Sequence, residues 1–444
     1  MKIVIILLVL FNFLYGYDFK LIKKENNDSN VTLLVIGGIH GNEPGGYFAP
    51  SILALHYKIL SKNLWIVPNL NVLSIQANKR GIHGDMNRKF AHIKKRDKDN
   101  KIVKDIKKII TSKKVSLVLN LHDGHGFYRK NYQGSIFNPN AWGQTCVIDQ
   151  CKLKNTQQFG NLDEIANKIR DNVNKKLIKK HHSFNVKNNV NKKLLHKKHQ
   201  FDVRNTKTKF YDEAMQLSLT YFAVTHSKPA FAIETSKNLK KLSQKVFYQL
   251  IAIEEFMNIM GIKFKRDFNL NPKELEKLLK NYGYLDINGK IKLNLTDIKK
   301  TLRFLPLKFR GNSFNFTHPL GSIKKVGGDF RVYIGNKHIT TLKPQYFKYY
   351  DKCPEKFDVI VDNSKKRLDL CSEFFVKDDF KIIDNGITRV NVIGFSSRNK
   401  NETNVTISYS KLYKRYAIDK KNRSYRIEFY KDDKFCAMSI VHFK

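Results

Sequence analysis

Val31-Thr32-Leu33-Leu34-Val35-Ile36-Gly37-Gly38-Ile39-His40-Gly41-Asn42-Glu43-Pro44-Gly45-Gly46 is an apolar run that breaks into a glycine-rich loop and then meets a proline. The run over 31–36 has the length and composition of a buried strand. Pro44 suits the first position of a helix, where its missing N–H would have no intrahelical partner. Strand, short loop and helix form the unit from which α/β sheets are built, and ligands of such sheets collect at the carboxyl ends of the strands. His40 and Glu43 stand three apart in this loop, so one turn can aim both at one point. An HxxE by itself recurs by chance in unrelated chains.

The same texture extends outward. A short apolar run covers 65–67, an amphipathic helical pattern covers 102–110, and a second strand, Val115-Ser116-Leu117-Val118-Leu119-Asn120-Leu121, ends directly at His122. This alternation predicts an α/β layer with a mixed, largely parallel sheet flanked by helices. A neighbouring strand would deliver His122 to the edge that carries the HxxE loop. Two histidines and a glutamate that leave a fourth position open are the usual donor set of a catalytic zinc, which activates water near neutral pH. His40, Glu43 and His122 are therefore the candidate metal ligands. Between them, Arg80-Gly81-Ile82-His83-Gly84-Asp85-Met86-Asn87-Arg88-Lys89-Phe90 offers a bidentate arginine beside an asparagine donor, which is what recognition of a free C-terminal carboxylate requires. Arg80 is placed to polarise a scissile carbonyl. In Pro229-Ala230-Phe231-Ala232-Ile233-Glu234-Thr235-Ser236 a single carboxylate interrupts an apolar strand, an expensive arrangement without a partner. Set over an attacking water, Glu234 would serve as general base.

The chain of 444 residues begins with Met1-Lys2, an apolar stretch over 3–14 and then Gly16. It is too short to span a bilayer and ends in a small residue, so 1–16 reads as a signal peptide that leaves no stable membrane insertion after cleavage. The formal charge is +43, from 82 Lys and Arg against 39 Asp and Glu. Such a balance ordinarily suggests nucleic acid. Export argues against that partner and in favour of the free carboxylates of a cell wall or anionic lipid, or else a merely solvated surface. Five cysteines are an odd set for an oxidising compartment. Cys146 and Cys151 can staple a loop, Cys353 and Cys371 can cross-link the start of a late domain, and no CxxC spacing suggests a cysteine metal site. The Lys-, Asn- and His-rich tract over 174–199 carries too many lysines to favour a divalent cation and reads as a solvated insertion.

Beyond residue 265 the texture changes to strand-like runs after one helix candidate over 272–279. Runs over 425–430 and 436–442, joined by Lys431-Asp432-Asp433-Lys434, predict a β-hairpin, with a further strand over 405–409. The expected organisation is a signal peptide (1–16), a catalytic domain (17–264), a small β-rich domain (265–347) and a β-sandwich of immunoglobulin type (348–444).

In order and content, the HxxE loop, the Asp85-Met86-Asn87-Arg88-Lys89-Phe90 run, the strand-end His122 and the strand glutamate Glu234 resemble the zinc metallocarboxypeptidases of the funnelin fold. The resemblance covers roughly 30–260. It implies His40, Glu43 and His122 as zinc ligands, Asn87 and Arg88 as the carboxylate pocket, Arg80 as the oxyanion arginine and Glu234 as the base. Two features depart from digestive-type members: the second and third ligands lie closer in sequence, and Asp123 follows His122 where serine is common. The substrate-capping tyrosine has no clear counterpart, although Tyr128 and Tyr132 are available.

With the signal peptide, the basic charge, Leu121-His122-Asp123-Gly124, the Trp142 loop and the trailing β-rich segments, nearly the whole chain looks like the periplasmic peptidoglycan DL-carboxypeptidases of helical Gram-negative bacteria. That resemblance implies release of meso-diaminopimelate from murein tripeptide, leaving dipeptide, with Trp142 and Tyr128 near the substrate and consequences for cell shape. Some members are said to carry glutamine in place of the first histidine ligand, whereas this chain keeps His40. Two other classes share part of the pattern, an aspartoacylase-type amidohydrolase of small N-acyl amino acids and a wall-binding protein without activity. Asp28-Ser29-Asn30-Val31-Thr32 and Glu402-Thr403-Asn404-Val405-Thr406 match the extended bacterial N-glycosylation pattern at Asn30 and Asn404.

Overall fold

Seven strands carry the first unit of the chain: β1 (Ile22–Lys24), β2 (Thr32–Ile36), β3 (Asn63–Val67), β4 (Val115–Gly124), β5 (Thr145–Ile148), β6 (Asp202–Asn205) and β7 (Ala230–Ser236). They stand in the spatial order β1-β3-β2-β4-β7-β5-β6. The central strands β3, β2, β4 and β7 run parallel, whereas β1 pairs antiparallel with β3 and β5 antiparallel with β7. The sheet is therefore mixed with a parallel centre, as the strand and helix alternation predicts. In the computed structural model the described residues are 18–26, 29–154, 156, 158–179, 199–397 and 401–444. The expected signal peptide and most of the 174–199 tract lie outside them. The chain divides into two compact units, one ending at Leu279 and one running from Lys280 to Lys444.

β2 is buried at every position, and so is β3. Such strands are covered on both faces, which is why they read as continuous apolar runs and not as alternations. Helix α1 (Pro44–His56) starts at the proline, and α2 (Asn100–Ile110) buries Val103, Ile106, Ile109 and Ile110 at the three- and four-residue spacing of one helical face. α3 (Leu162–Lys179) and α4 (Leu242–Ile259) are the longest helices described. Gly45 and Gly46 let the first turn of α1 press against the end of β4. A Cβ at Gly45 would lie 2.3 Å from Asp123 Oδ1, and one at Gly46 would lie 2.6 Å from the Leu121 carbonyl oxygen. Only glycine permits that approach, and the approach brings Glu43 beside His122.

The second unit is built of strands. A seven-stranded sheet includes Phe314–Phe316, Tyr284–Ile287, Ile291–Asn294, Lys434–Phe443, Ser424–Lys431 and Arg389–Val392 in spatial order, with Glu373–Val376 pairing on Lys434–Phe443. Segments on both sides of residue 347 thus share one sheet. Thr301–Leu307 belongs to one four-stranded sheet and Lys356–Val361 to another. The predicted hairpin is present: Ser424–Lys431 pairs antiparallel with Lys434–Phe443, and Lys431 stands opposite Lys434. The expected strand over 405–409 shrinks to Ile407–Ser408, because a 3-10 turn begins at Tyr409.

The disulfide is neither of the two pairs between which the sequence left the choice open. Cys353 bonds Cys436, while Cys146, Cys151 and Cys371 are free. Tyr350 N donates to the Phe435 carbonyl at 2.9 Å, so the segment entering Cys353 runs beside the last strand and the two Cα atoms come within 5.8 Å. That contact joins residues 83 apart in sequence, a separation local spacing cannot reveal.

Glu402, 5% exposed, accepts a hydrogen bond from Val392 N, and burial raises its carboxyl to about 7. The folded state therefore holds a proton that the unfolded chain releases near the ordinary value of 4.5. Between those two values the unfolded state binds fewer protons, so stability falls as pH rises. Thermal unfolding of wild type should lose midpoint temperature from pH 5 to pH 7.5, and Glu402→Gln should flatten that slope. Parallel curves for the two proteins would show that Glu402 does not supply it.

Candidate active site

Parallel pairing sets the core of the site. In the register between β4 and β7, His122 stands opposite Glu234. Gln249 Nε2, from α4, donates to the His122 carbonyl at 2.7 Å and fixes the strand end from behind. Glu43, 4% exposed, lies at the start of α1, with Oε2 2.9 Å from His122 Nδ1 and Oε1 3.1 Å from His40 Nδ1. Donor atoms of His40, Glu43 and His122 all fall within 4.8 Å of one another, and all three residues are buried.

His40 Nε2 lies 2.8 Å from Asp85 Oδ1, and Arg80 spans from Asp85 Oδ2 (2.8 Å from Nε) to Glu43 Oε1 (3.3 Å from Nη1). Lys237 Nζ reaches the same Glu43 oxygen at 3.2 Å. Asp85 caps the 3-10 turn Met86–Arg88 by accepting from Asn87 N, and this turn presents Asn87 and Arg88 together. Asn87 Oδ1 accepts from Leu219 N at 3.0 Å, leaving its Nδ2 as the donor. A cavity of about 230 Å³ collects His40, Glu43, Arg80, Asn87, Arg88 and His122, and also Trp142, Glu234 and Lys237. Tyr128 is not among its lining residues. Its ring lies 5.3 Å from the Arg204 guanidinium, which also covers Trp142 at 3.9 Å.

The carboxylates are pushed apart in acidity. Desolvation drives Glu234 well above the usual carboxylate range, and the negative charges of Glu43 and Asp123 add to it. Glu43 is held well below that range: its own desolvation opposes this, but the charge of His40 and the hydrogen bond from His122 outweigh it. Asp85 is likewise depressed against its desolvation, by His40 and Arg80. Burial lowers His122, favouring the neutral imidazole that a metal requires. One carboxyl poised to hold a proton beside others kept ionised is the usual signature of assigned acid and base roles.

The family model for the catalytic part of carboxypeptidases controlling helical cell shape matches residues 1–190 and 185–280, and a model for the C-terminal domain of metallo-carboxypeptidase matches 350–444. The chain belongs to this family of metallocarboxypeptidases. Among solved structures, the product-bound cell shape determinant protein Csd4 of Helicobacter pylori is 34% identical, with a TM-score of 0.85, over 96% of this chain and 100% of that one. A tripeptide-bound form of that protein matches with the same values. Its mDAP-bound form, described as a D,L-carboxypeptidase, gives 34% identity and a TM-score of 0.84 over 95% of this chain and 100% of the other. No curated protein sequence matches.

The carboxypeptidase fits a metal on its own geometry. His40 Nδ1 is buried and makes no hydrogen bond among the described residues, although it lies 3.1 Å from Glu43 Oε1. Its other ring nitrogen is engaged by Asp85, the arrangement by which a carboxylate orients a ligating histidine. Two imidazoles and one carboxylate with an open side toward the cavity make the donor set of a catalytic site. Three cavity or support residues carry roles that the sequence reading left unassigned. Asp85 orients His40; Lys237 touches Glu43; and buried Asp123, raised to about 6 by desolvation, accepts from Gly45 N and Thr235 Oγ1 and so ties α1 to β4 and β7. Asp85 stood inside the Arg80–Phe90 run, so its neighbours were the available signal. Asp123 and Lys237 follow a ligand and the base by one and three residues. His125 lines the cavity with its side chain exposed. Among the described residues, no helix is long and apolar enough to cross a membrane.

Proposed function

We propose that the chain is a zinc-dependent peptidoglycan DL-carboxypeptidase that acts in the periplasm, releases meso-diaminopimelate from murein tripeptide to leave dipeptide, and thereby affects cell shape. The observation that carries this reading is the convergence of the His40, Glu43 and His122 donors with Glu234, Arg80, Asn87 and Arg88 on one cavity. Family membership and the resemblance to Csd4, which has been crystallised with product, tripeptide and mDAP, support the substrate class. The family models match the 350–444 segment as well as the catalytic unit, which favours wall peptides over the small N-acyl amino acids of an aspartoacylase-type enzyme. An inactive wall-binding role is disfavoured because every residue the chemistry needs lies in the cavity.

In this reading His40, Glu43 and His122 would hold zinc, which would supply Lewis acidity toward the scissile carbonyl. Arg88 and the Asn87 amide grip the substrate's terminal carboxylate. Arg80, held in place by Asp85 and Glu43, faces the carbonyl oxygen and stabilises charge developing there. Glu234 takes a proton from the attacking water and returns it to the departing amine. Trp142, backed by the Arg204 guanidinium, offers an apolar wall to the substrate; Tyr128 acts on it only indirectly, beneath the same guanidinium.

Arg88 makes the substrate's length part of its recognition. Murein tripeptide ends in the residue to be released, so its carboxylate meets Arg88. In tetrapeptide the added D-alanine converts that carboxylate into an amide and leaves the arginine without its partner. Purified enzyme should cleave tripeptide at least about a hundredfold faster than tetrapeptide, since sites built to bind a polar group reject analogues that lack it. Arg88→Ala should lose tripeptide cleavage without gaining on tetrapeptide. Mass measurement of digested wall fragments checks both, and comparable rates on the two peptides would replace this reading by an endopeptidase.

A further inference from the structure

Thr301–Leu307 pairs in parallel with Lys337–Tyr346, but the register slips between Leu302 and Leu305. At the slip Phe304 takes φ 55°, and the residue is 59% exposed. A phenylalanine is held in the left-handed region only where its surroundings demand it, and such outliers and bulges cluster at ligand sites. Here the demand has an address. The Phe304 carbonyl accepts from Nη1 of Arg426 at 3.3 Å, and Arg426 is 4% exposed. Glu428 Oε1 lies 3.5 Å from the same Nη1, and its other oxygen accepts from the Tyr430 hydroxyl at 2.7 Å. Arg426 Nε has no hydrogen-bond partner among the described residues.

Arg426 lines a cavity of about 360 Å³, whose other lining residues include Arg303, Arg415, Phe304 and Tyr416. Arg415 lies over the Tyr416 ring at 4.9 Å. A buried charged donor without a partner is unfavourable. Three arginines against one acid leave the cavity positive. The planar fork of arginine matches a carboxylate, and the exposed rings of Phe304 and Tyr416 offer flat apolar shoulders beside it. We propose that this cavity in the Lys280–Lys444 unit is a second ligand site, which binds a carboxylate carried on a flat or ring-bearing body, with Arg426 as its buried anchor.

The test uses the full chain and calorimetric titration with benzoate, benzamide, inorganic phosphate and a short peptide with a free terminal carboxylate. Arg88→Ala weakens carboxylate binding at the catalytic cavity, where Arg80 and Lys237 remain, and in that background the second site is the benzoate binding that benzamide does not share and that the two further substitutions remove. Adding Arg426→Gln should weaken benzoate at least tenfold. Adding Thr301→Trp, which puts bulk at another residue lining the cavity, should do the same, and it carries the test if Arg426→Gln fails to fold. By itself Thr301→Trp should leave tripeptide turnover unchanged. Tighter binding of the peptide than of benzoate assigns the site to peptide carboxylates, and equal binding assigns it to free acids. No benzoate binding to Arg88→Ala, equal binding of benzamide, a preference for phosphate, or indifference to Thr301→Trp would each overturn the proposal.

Discussion

Replacing Glu234 by glutamine should leave a folded, metal-loaded protein whose turnover on tripeptide falls by roughly a hundredfold to ten-thousandfold, the usual loss when a general base is removed. The amide keeps the shape of the side chain on β7, opposite His122, but cannot accept the water's proton. Folding should not suffer, because burial, Glu43 and Asp123 all oppose the charge of Glu234 and hold its pKa well above the usual carboxylate range. The same shift gives a pH dependence. A base must be deprotonated, so wild-type kcat should fall as pH drops through a value above the ordinary carboxylate range. Steady-state rates, elemental analysis and thermal unfolding of both proteins make the check. Wild-type turnover in the variant would move the base elsewhere.

His122→Ala should lose the metal. The imidazole sits at the end of a buried strand within reach of both other donors, and without it only His40 and Glu43 remain. A two-donor site should bind zinc at least about a hundredfold more weakly, since even the outer partners of metal ligands are worth ten- to a hundredfold. Activity should vanish with the metal. Glu43 would keep His40, Arg80 and Lys237 as neighbours, so the unit should still fold, which circular dichroism can verify. Full zinc retention with normal activity would remove His122 from the ligand set.

Sequence alone determined the elements whose signals are local. A strand over 31–36 buried on both faces reads as a largely apolar run, Pro44 must open a helix and not sit within β2, and an amphipathic 102–110 can only lie with one face inward. His40 and Glu43 were legible because they follow such a strand, and His122 because it closes the apolar run of another that continues to Gly124. Tertiary structure decided what depends on distant partners. The parallel register that sets Glu234 opposite His122 joins strands more than a hundred residues apart. Asp85 becomes the orienting partner of His40 only because its turn folds over the loop. Cys353 finds Cys436 and not Cys371 because the last strand runs beside it. Strand composition states that a segment pairs but not with which neighbour, since backbone hydrogen bonds are alike along every strand and only long-range packing selects among them.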